Sequence, residues 1–431
     1  IGAALQGPVE AEGDEHPEKR IDSGFCGGPD RPFVTPLLRR ATADDLRGLA
    51  DVDGRGFGMQ QTDEELEHFR PMFEPDRFLL ACDPDTGSIL GVTGSYPLDV
   101  TLPGGAVLPA PGVTWVSVDP TVRRRGILRA MFAEQHAGFV ADGLAVALLT
   151  ASEGTIYDRF GYGVTTVNRS FEITRRRAEF RAGAPDPGGV RYVDPETARK
   201  LAPELHRRWC AITPGAVSRT DAAWDWHLRD EERWRDGGSA LFYLVHPDGF
   251  ASYRVRWSDS SAIVVDLFAA TEEAYIALWR VLLGLDLVEK VTGWKSVAVD
   301  DPLPLLLTDA RQVHTTSVQD GLWSRVLDVP AALAARTYAV EIDIVLDVHD
   351  DFLHRGGRVR LQGGPEGATC APTDAAADMT LPVAALGPLL FGGGRASTYA
   401  RAGRAAGTPE VLRRGGAAFA ADREPMHGTG F

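Results

Sequence analysis

The chain has 431 residues, of which 44 % are hydrophobic and 24 % charged, with a formal net charge of -15. That length predicts roughly two to four domains with separate cores, and no apolar run approaches the roughly 20 residues of a membrane helix, which argues against a membrane-spanning class. The acidic balance argues against a general nucleic-acid binder, and the four cysteines (Cys26, Cys82, Cys210, Cys370) lie far apart with no CxxC pair, suggesting neither a zinc site nor a disulfide framework.

Reduced thiols in a cytoplasm fit that cysteine usage. Residues 1–32 are polar, rich in Gly and Pro and without the apolar core of a signal peptide, so a flexible tail is expected there. From Thr42, "TADDLRGLADV" predicts a capped helix, and "TDEELEHF" repeats the signal with Thr62 and Glu65 in capping-box spacing. "RFLLACD", "SILGVTGSYPLDVTL" and "GVTWVSV" then predict antiparallel strands, turned at "DPDTG" and at Pro103 to Gly105. After Arg125, Leu128, Met131, Phe132, Phe139 and Val140 recur at helical spacing, Gly143 closes the helix, and "LAVALLTA" is a buried strand.

A second segment rehearses this order without repeating the sequence. "PELHRRWCAI" and "TDAAWDWHLRDEERW" predict helices, "ALFYLVHPDGFASYRVRW" a hairpin around Asp248 and Gly249, and "SAIVVDLFAA" a strand. "TEEAYIALWRVLLGL" then supplies a helix and "WKSVAVD" a strand. Beyond "DDPLPLLLTDAR" the composition shifts to Ala, Gly and small apolar residues. Strands are expected at "GLWSRVLDV", "EIDIVLDV" and "GRVRLQG", with helices at "PAALAARTY", "PVAALGPLLF" and "GTPEVLRRGGAAFA". That is a third, α+β domain.

The chemistry concentrates in the first segment. Strand "VTWVSV", loop "DPTVRRRG" and helix "ILRAMFAEQ" bring arginines to a helix start, where backbone N–H groups and the helix dipole favour an anion such as a phosphate. Gly126 lets the backbone approach that anion closely. A solvated arginine run is the plain alternative, but positive charge there opposes the dipole. The second segment places "ATEEAY" before its helix instead, so only the first copy is expected to bind an anion.

Strand, loop and helix resemble the pyrophosphate-binding motif of the GCN5-related N-acetyltransferases (GNATs), RxxGxG/A. Arg123 and Gly126 match it, with Leu128 where Gly or Ala is usual. "ASEGTIYDRFGYG" is similar to that superfamily's later tyrosine helix and puts Tyr157 on a short helix capped by Ser152 and ended by Gly161. With "HPDGFASYRV", "DDPLPLLLTDAR", "DGLWSRVLDVPAAL" and "APTDAAADM", the chain from about residue 36 to Phe431 resembles the Eis acetyltransferases of actinobacteria.

That resemblance implies an α+β fold class. Two tandem GNAT-like domains, the second degenerate, are followed by a sterol-carrier-protein-like domain. The expected boundaries are 33–185 for the catalytic domain, 186–310 for the degenerate copy and 311–431 for the C-terminal domain. It implies transfer of acetyl from acetyl-CoA, without a metal, through a tetrahedral intermediate to a small-molecule amine acceptor, foremost aminoglycosides at several positions, by a homo-hexamer without nucleic-acid or membrane partners. Acetyl-CoA contacts carry over to Val116, Ser117 and Val118, to Arg123, Arg124, Arg125, Gly126, Ile127, Leu128 and Arg129, and to Ser152 and Glu153. An N–H near Val118 would stabilise a developing oxyanion. The general acid matches Tyr157, with Tyr162 expected in the core of the next strand, and the base matches the carboxylate of Phe431.

Phe57 and Trp115 match aromatic positions of the acceptor pocket. Gly430 and Met59 fall where acidic residues are expected, and Asp63, Glu64 and Glu65 either compensate or form an exposed helix face. Two other readings stay open. Protein lysines or polyamines are alternative acceptors, and the C-terminal domain is alternatively a carrier of an apolar ligand, which an apolar tunnel within residues 325–431 would favour.

Overall fold

Both helix starts read from the sequence carry their caps. The Thr62 hydroxyl accepts from the Glu65 N–H at 3.2 Å while the Glu65 carboxylate accepts from the Thr62 N–H at 2.5 Å, which seats the helix Asp63–Phe69. Thr42 and Asp45 form the same box ahead of a 3-10 turn that runs into the helix Leu46–Phe57. The computed structural model describes residues 35–431; the tail expected at residues 1–32, with Cys26, lies outside the described residues.

The first part of the chain supplies β1 (Leu37–Arg40), β2 (Leu79–Cys82), β3 (Ile89–Thr101), β4 (Val107–Val118), β5 (Val146–Thr150) and β6 (Gly163–Val164). Next come β7 (Val167–Thr174), β8 (Arg191–Val193), β9 (Phe242–His246), β10 (Gly249–Arg256), β11 (Ser261–Ala269), β12 (Lys290–Ala298) and β13 (Val313–Asp320). Last are β14 (Leu322–Val326), β15 (Ile342–His349), β16 (Gly357–Gly364), β17 (Gly367–Pro372), β18 (Met379–Pro382) and β19 (Ala406–Gly407).

Two seven-stranded sheets share one plan. The first runs β1-β2-β3-β4-β5-β14-β6 and the second β8-β9-β10-β11-β12-β7-β13, and in each the fourth and fifth strands are parallel. The architectural repeat expected from the sequence is therefore present. The sixth place of each sheet is filled by a strand from elsewhere: β7 crosses into the second sheet and β14 returns to pair with β5. The expected boundaries need correcting accordingly. β7 falls inside 33–185 and β13 and β14 inside 311–431, yet pairing places β7 and β13 in the second sheet and β14 in the first. The third sheet, β17-β16-β15-β18-β19, starts only at Ile342.

The helix expected over "TDAAWDWHLRDEERW" is shorter than its pattern, spanning Asp221–His227. Asp230, at φ +51°, interrupts it because its carboxylate takes the Leu241 N–H at 2.8 Å and the Arg254 guanidinium at 2.9 Å.

Alternation sorts the two faces of the first sheet. Leu80, Cys82, Tyr96, Leu98 and Ala110 pack with the helix Leu46–Phe57, while Leu79 and Ala81 pack on Ile127 and Met131 of the helix Ile127–Ala141. On the second face Val113, Ala147 and Leu149 meet Phe132.

Candidate active site

Parallel strands β4 and β5 pair only at Gly112–Leu148 and Val113–Leu149. Beyond that point β4 is bulged, with Thr93 of β3 opposite both Trp115 and Val116, and Trp115 takes φ +52°, a conformation bulky residues rarely adopt. The bulge bends β4 away from β5 and opens a fork at the carboxyl ends of the strands, where open sheets bind ligands. Val116, Ser117 and Val118 form its β4 edge. The Ser117 hydroxyl is turned inward and donates to the Val52 carbonyl at 3.3 Å, which leaves its backbone for the fork.

The arginine loop follows directly. A 3-10 turn, Pro120–Val122, is capped by Asp119, and then Arg124 at φ +63° and Gly126 at φ +81° both take the left-handed conformation before the helix Ile127–Ala141. Left-handed residues ahead of a helix start turn N–H groups into a nest for an anion. Arg124 is exposed and Arg125 half-buried. Arg123 is engaged otherwise: its guanidinium donates to Val118 O at 3.2 Å and to Gly56 O at 3.3 Å, tying loop to strand and helix. The Ile127 side chain is buried in the core, so only its backbone faces the loop, and Leu128 packs half-buried beside it. Arg129 lies 5.2 Å from the Phe352 ring centroid in the C-terminal domain.

Tyr157 does not sit on a helix. Residues 152–157 form bends and turns, and a single 3-10 turn, Asp158–Phe160, follows, closed by Gly161 at φ +82°. This conformation is imposed from outside. Arg325 of β14 donates to the Phe160 carbonyl, and a Cβ on Gly161 would lie 1.8 Å from that guanidinium. Arg325 is itself fully buried and paired with Asp350 of the third domain at 2.7 Å. Tyr157 is 4 % exposed, stacked on Phe132 and edge-on to Trp323; burial pushes its phenol up to about 12, against a smaller opposing hydrogen bond from Ser152. Ser152 and Glu153 are exposed at the mouth of this turn. Tyr162 is core as expected, its hydroxyl 2.8 Å from His136 Nε2, and burial holds that imidazole down at about 3.

Phe431 reaches the fork from the other face. Thr150, the last residue of β5, donates to the Phe431 oxygen at 3.0 Å, and a Cβ on Gly112 would lie 2.5 Å from the Leu98 side chain and 2.9 Å from the Phe431 ring. Glycine at 112 is thus what admits both Leu98 and the ring. On this face Trp115 is 5 % exposed, donates to the Tyr96 hydroxyl at 3.2 Å and packs on Phe69 at 4.7 Å, so it forms a buried floor; Phe57 is half-buried at a helix end. Asp53, which the sequence reading passed over, is 3 % exposed with Oδ1 lacking a protein hydrogen-bond partner, and burial raises its carboxyl to about 6. It acts electrostatically on Tyr96. Of the three acidic residues that either compensate or form an exposed helix face, two are committed elsewhere. Asp63 pairs with Arg47, and Glu65 caps its helix and pairs with Arg233 at 2.8 Å, while Glu64 is exposed. Among the described residues no cluster of three or more His, Cys, Asp or Glu could hold a metal, and no helix is long and apolar enough to cross a membrane.

Comparison with known proteins agrees with this domain order. The chain matches the acetyltransferase (GNAT) domain over residues 38–165, a second such domain over 215–326 and the sterol carrier protein domain over 329–428. It is 41 % identical over 400 residues to the N-acetyltransferase Eis of Mycobacterium tuberculosis, covering 90 % of this chain and 98 % of that protein. An uncharacterized N-acetyltransferase of Streptomyces avermitilis is 37 % identical over 395 residues, covering 87 % and 93 % of the two chains. The crystal structure of Eis1 from Mycobacterium abscessus superposes with a TM-score of 0.82 at 32 % identity, over 92 % of this chain and all of the other.

The buried Asp53 predicts a pH slope. Folded, it holds its proton to about pH 6; unfolded, it releases it near pH 3.8. Between those values the folded state binds more protons, so stability falls as pH rises, by about 3 kcal/mol once the carboxylate is fully ionised. In urea unfolding, Asp53→Asn gains on the parent between pH 4 and pH 7 by up to that amount. Parallel stability curves contradict the assignment.

Proposed function

The chain belongs to the Eis family of GCN5-related N-acetyltransferases, and from that premise we propose that it acetylates amines of small cationic acceptors, foremost aminoglycosides, with acetyl-CoA at the fork of the first domain. The observation that carries this reading is the convergence on one fork of the left-handed arginine loop, the buried Tyr157 and Phe431.

The donor supplies an activated acetyl carbon and a thiolate leaving group. Arg124, Arg125 and the N–H groups of Gly126, Ile127 and Leu128 hold its pyrophosphate, with Arg129, Ser152 and Glu153 at the periphery and Arg123 bracing the loop. Backbone groups of Val116, Ser117 and Val118 align the pantetheine arm, and an N–H near Val118 stabilises negative charge on the acetyl oxygen. Tyr157, a phenol protonated at neutral pH in any case and held the more firmly so by burial, gives its proton to the departing sulfur. On the opposite face the carboxylate of a chain terminating at Phe431 takes a proton from the acceptor ammonium, directly or through water, and so frees the amine lone pair that attacks the acetyl carbon. Asp53, Tyr96, Trp115 and Phe57 shape that side, and Asp53 adds negative potential for a cation. A homo-hexamer in the cytoplasm belongs to the same proposal.

Against the carrier alternative, a cavity of about 570 Å³ in the C-terminal domain is open to solvent and mixes the charged Asp328, Arg355, Arg358 and Asp374 with the apolar Leu327, Val329 and Val359, a lining poorly suited to a lipid. Thiol release from acetyl-CoA with aminoglycosides, polyamines and lysine peptides tests the whole reading. Aminoglycosides are expected to give the fastest release; release with peptides alone transfers the activity to protein lysines, and none with any amine overturns it.

Two variants dissect the site. Arg124→Ala removes a charge-assisted phosphate contact worth roughly 1.5 to 3 kcal/mol, so the KM for acetyl-CoA rises about tenfold to hundredfold while that for the acceptor stays near the parent. Unchanged CoA affinity shows that the loop binds something else. Tyr157→Phe lowers kcat by about 10² to 10⁴ with CoA binding intact. Parental turnover would demote Tyr157 to packing.

A further inference from the structure

We infer that the second acetyltransferase-like domain serves the reaction as the clamp that presents the C-terminal tail, with Arg219 as the positioning residue; this rests on the proposed role of the Phe431 carboxylate.

The second sheet keeps the fork of the first. Its parallel strands β11 and β12 pair from Ser261–Lys290 to Val264–Gly293 and then part, and β11 is bulged between Val264 and Asp266. Asp266 therefore stands two residues beyond the last pair, as Trp115 stands two beyond Val113 in the first sheet. No arginine nest follows here: the helix Glu272–Leu283 starts with Glu272 and Glu273. The fork has a different occupant. Asp266, 7 % exposed, receives the Arg219 guanidinium at 2.8 Å and the His227 imidazole.

Arg219, 6 % exposed on its side chain, continues from this anchor to the tail. It donates to the Gly428 carbonyl at 2.6 Å and to the Thr429 hydroxyl at 3.3 Å, and lies 4.6 Å from the Trp224 ring centroid. Neighbouring residues of the same domain add to the grip, beside the Thr166 hydroxyl 3.0 Å from His427 Nδ1. The Val217 N–H donates to the His427 carbonyl at 3.0 Å, the Thr429 hydroxyl to the Val217 carbonyl at 2.8 Å, and the Met426 N–H to the Pro214 carbonyl at 2.9 Å. Gly428 has φ +65°, and a Cβ there would lie 2.4 Å from the Trp209 ring, so only glycine passes. The gripping segment is also tied to β3 of the first domain, where Gly215 N–H donates to Thr101 O at 2.8 Å and Ser218 N–H to Asp99 O at 2.9 Å. One strap thus spaces the tail from the strand that carries Tyr96. A guanidinium satisfied by Asp266 and two tail groups is built to hold rather than to bind a second substrate.

The test is a double-mutant cycle in the full chain between Arg219→Ala and deletion of Phe431, read as kcat, acceptor KM and acetyl-CoA affinity. Arg219→Ala is expected to lower kcat about tenfold to hundredfold, as small misplacements of a reacting group do, with acetyl-CoA affinity within about twofold of the parent. It adds nothing once Phe431 is gone, because both changes remove the same group. Arg219→Lys, which keeps a charge for Asp266 and a donor for Gly428, recovers part of the loss. If Arg219→Ala fails to fold, Asp266→Asn replaces it in the cycle. Losses that multiply overturn the clamp, since Arg219 would then act independently of the tail. Parental kcat in Arg219→Ala with a loss on deletion also overturns the clamp but leaves the carboxylate standing. Parental kcat after deletion overturns the carboxylate, and the clamp with it.

Discussion

The brevity of the pairing between β4 and β5 is the constraint on which the rest depends. Two parallel strands joined at Gly112–Leu148 and Val113–Leu149 must diverge once Trp115 is held at φ +52°, and the opening that results exposes β4 backbone to a ligand. Strain of this kind persists only where surrounding structure over-determines it. Here the Trp115 ring is locked by Tyr96 and Phe69, so the bulge is built from the buried side outward. The groups proposed to act are arranged about this fork: the arginine loop leaves the end of β4, Tyr157 approaches from the Val113 face, and Phe431 lies over Gly112 on the opposite one.

A fork at a sheet's middle would weaken the sheet, and the exchanged strand answers that. β14 pairs with β5 along Leu322–Thr150 to Val326–Val146 and so braces the strand that β4 abandons. It also carries Arg325 under the Tyr157 turn, paired with Asp350. A buried ion pair is weak evidence for stability, since desolvation offsets its attraction, but losing one partner is costly. Its consequence here is register: the first domain, the returning strand and the third domain meet in one geometry or leave a charge stranded. With residues 426–429 held by the second domain, all three domains touch the surroundings of the proposed site.

Much of this was legible in the residues. Capping at Thr62, the helix after Gly126, the hairpin at Asp248 and Gly249 and the repeated order of elements all follow from local patterns, and local patterns decide local structure. Non-local pairing was not legible. Nothing in "NRSFEIT" or "GLWSRV" states which sheet each strand joins, so the boundaries at 185 and 311 cut through the exchange. The Tyr157 turn failed as a helix because Arg325, remote in sequence, sets it. Asp53, Gly112, Thr150 and Arg219 acquire meaning only from what the fold brings to them. Gly112 alone left a sign, a glycine inside a strand pattern, which marks a close approach. Arg123 and Ile127 fitted a motif by position, but their side chains serve the loop and the core.

The central claim is that donor and acceptor meet across this fork, and a crystal structure with CoA and an aminoglycoside bound tests it most directly. The account predicts the pyrophosphate against the N–H groups after Arg125, the sulfur within about 3 to 4 Å of the Tyr157 hydroxyl, and the acceptor nitrogen on the Phe431 side within reach of its carboxylate directly or through one water. A sulfur on the Gly112 face, or an acceptor bound away from the tail, would contradict it.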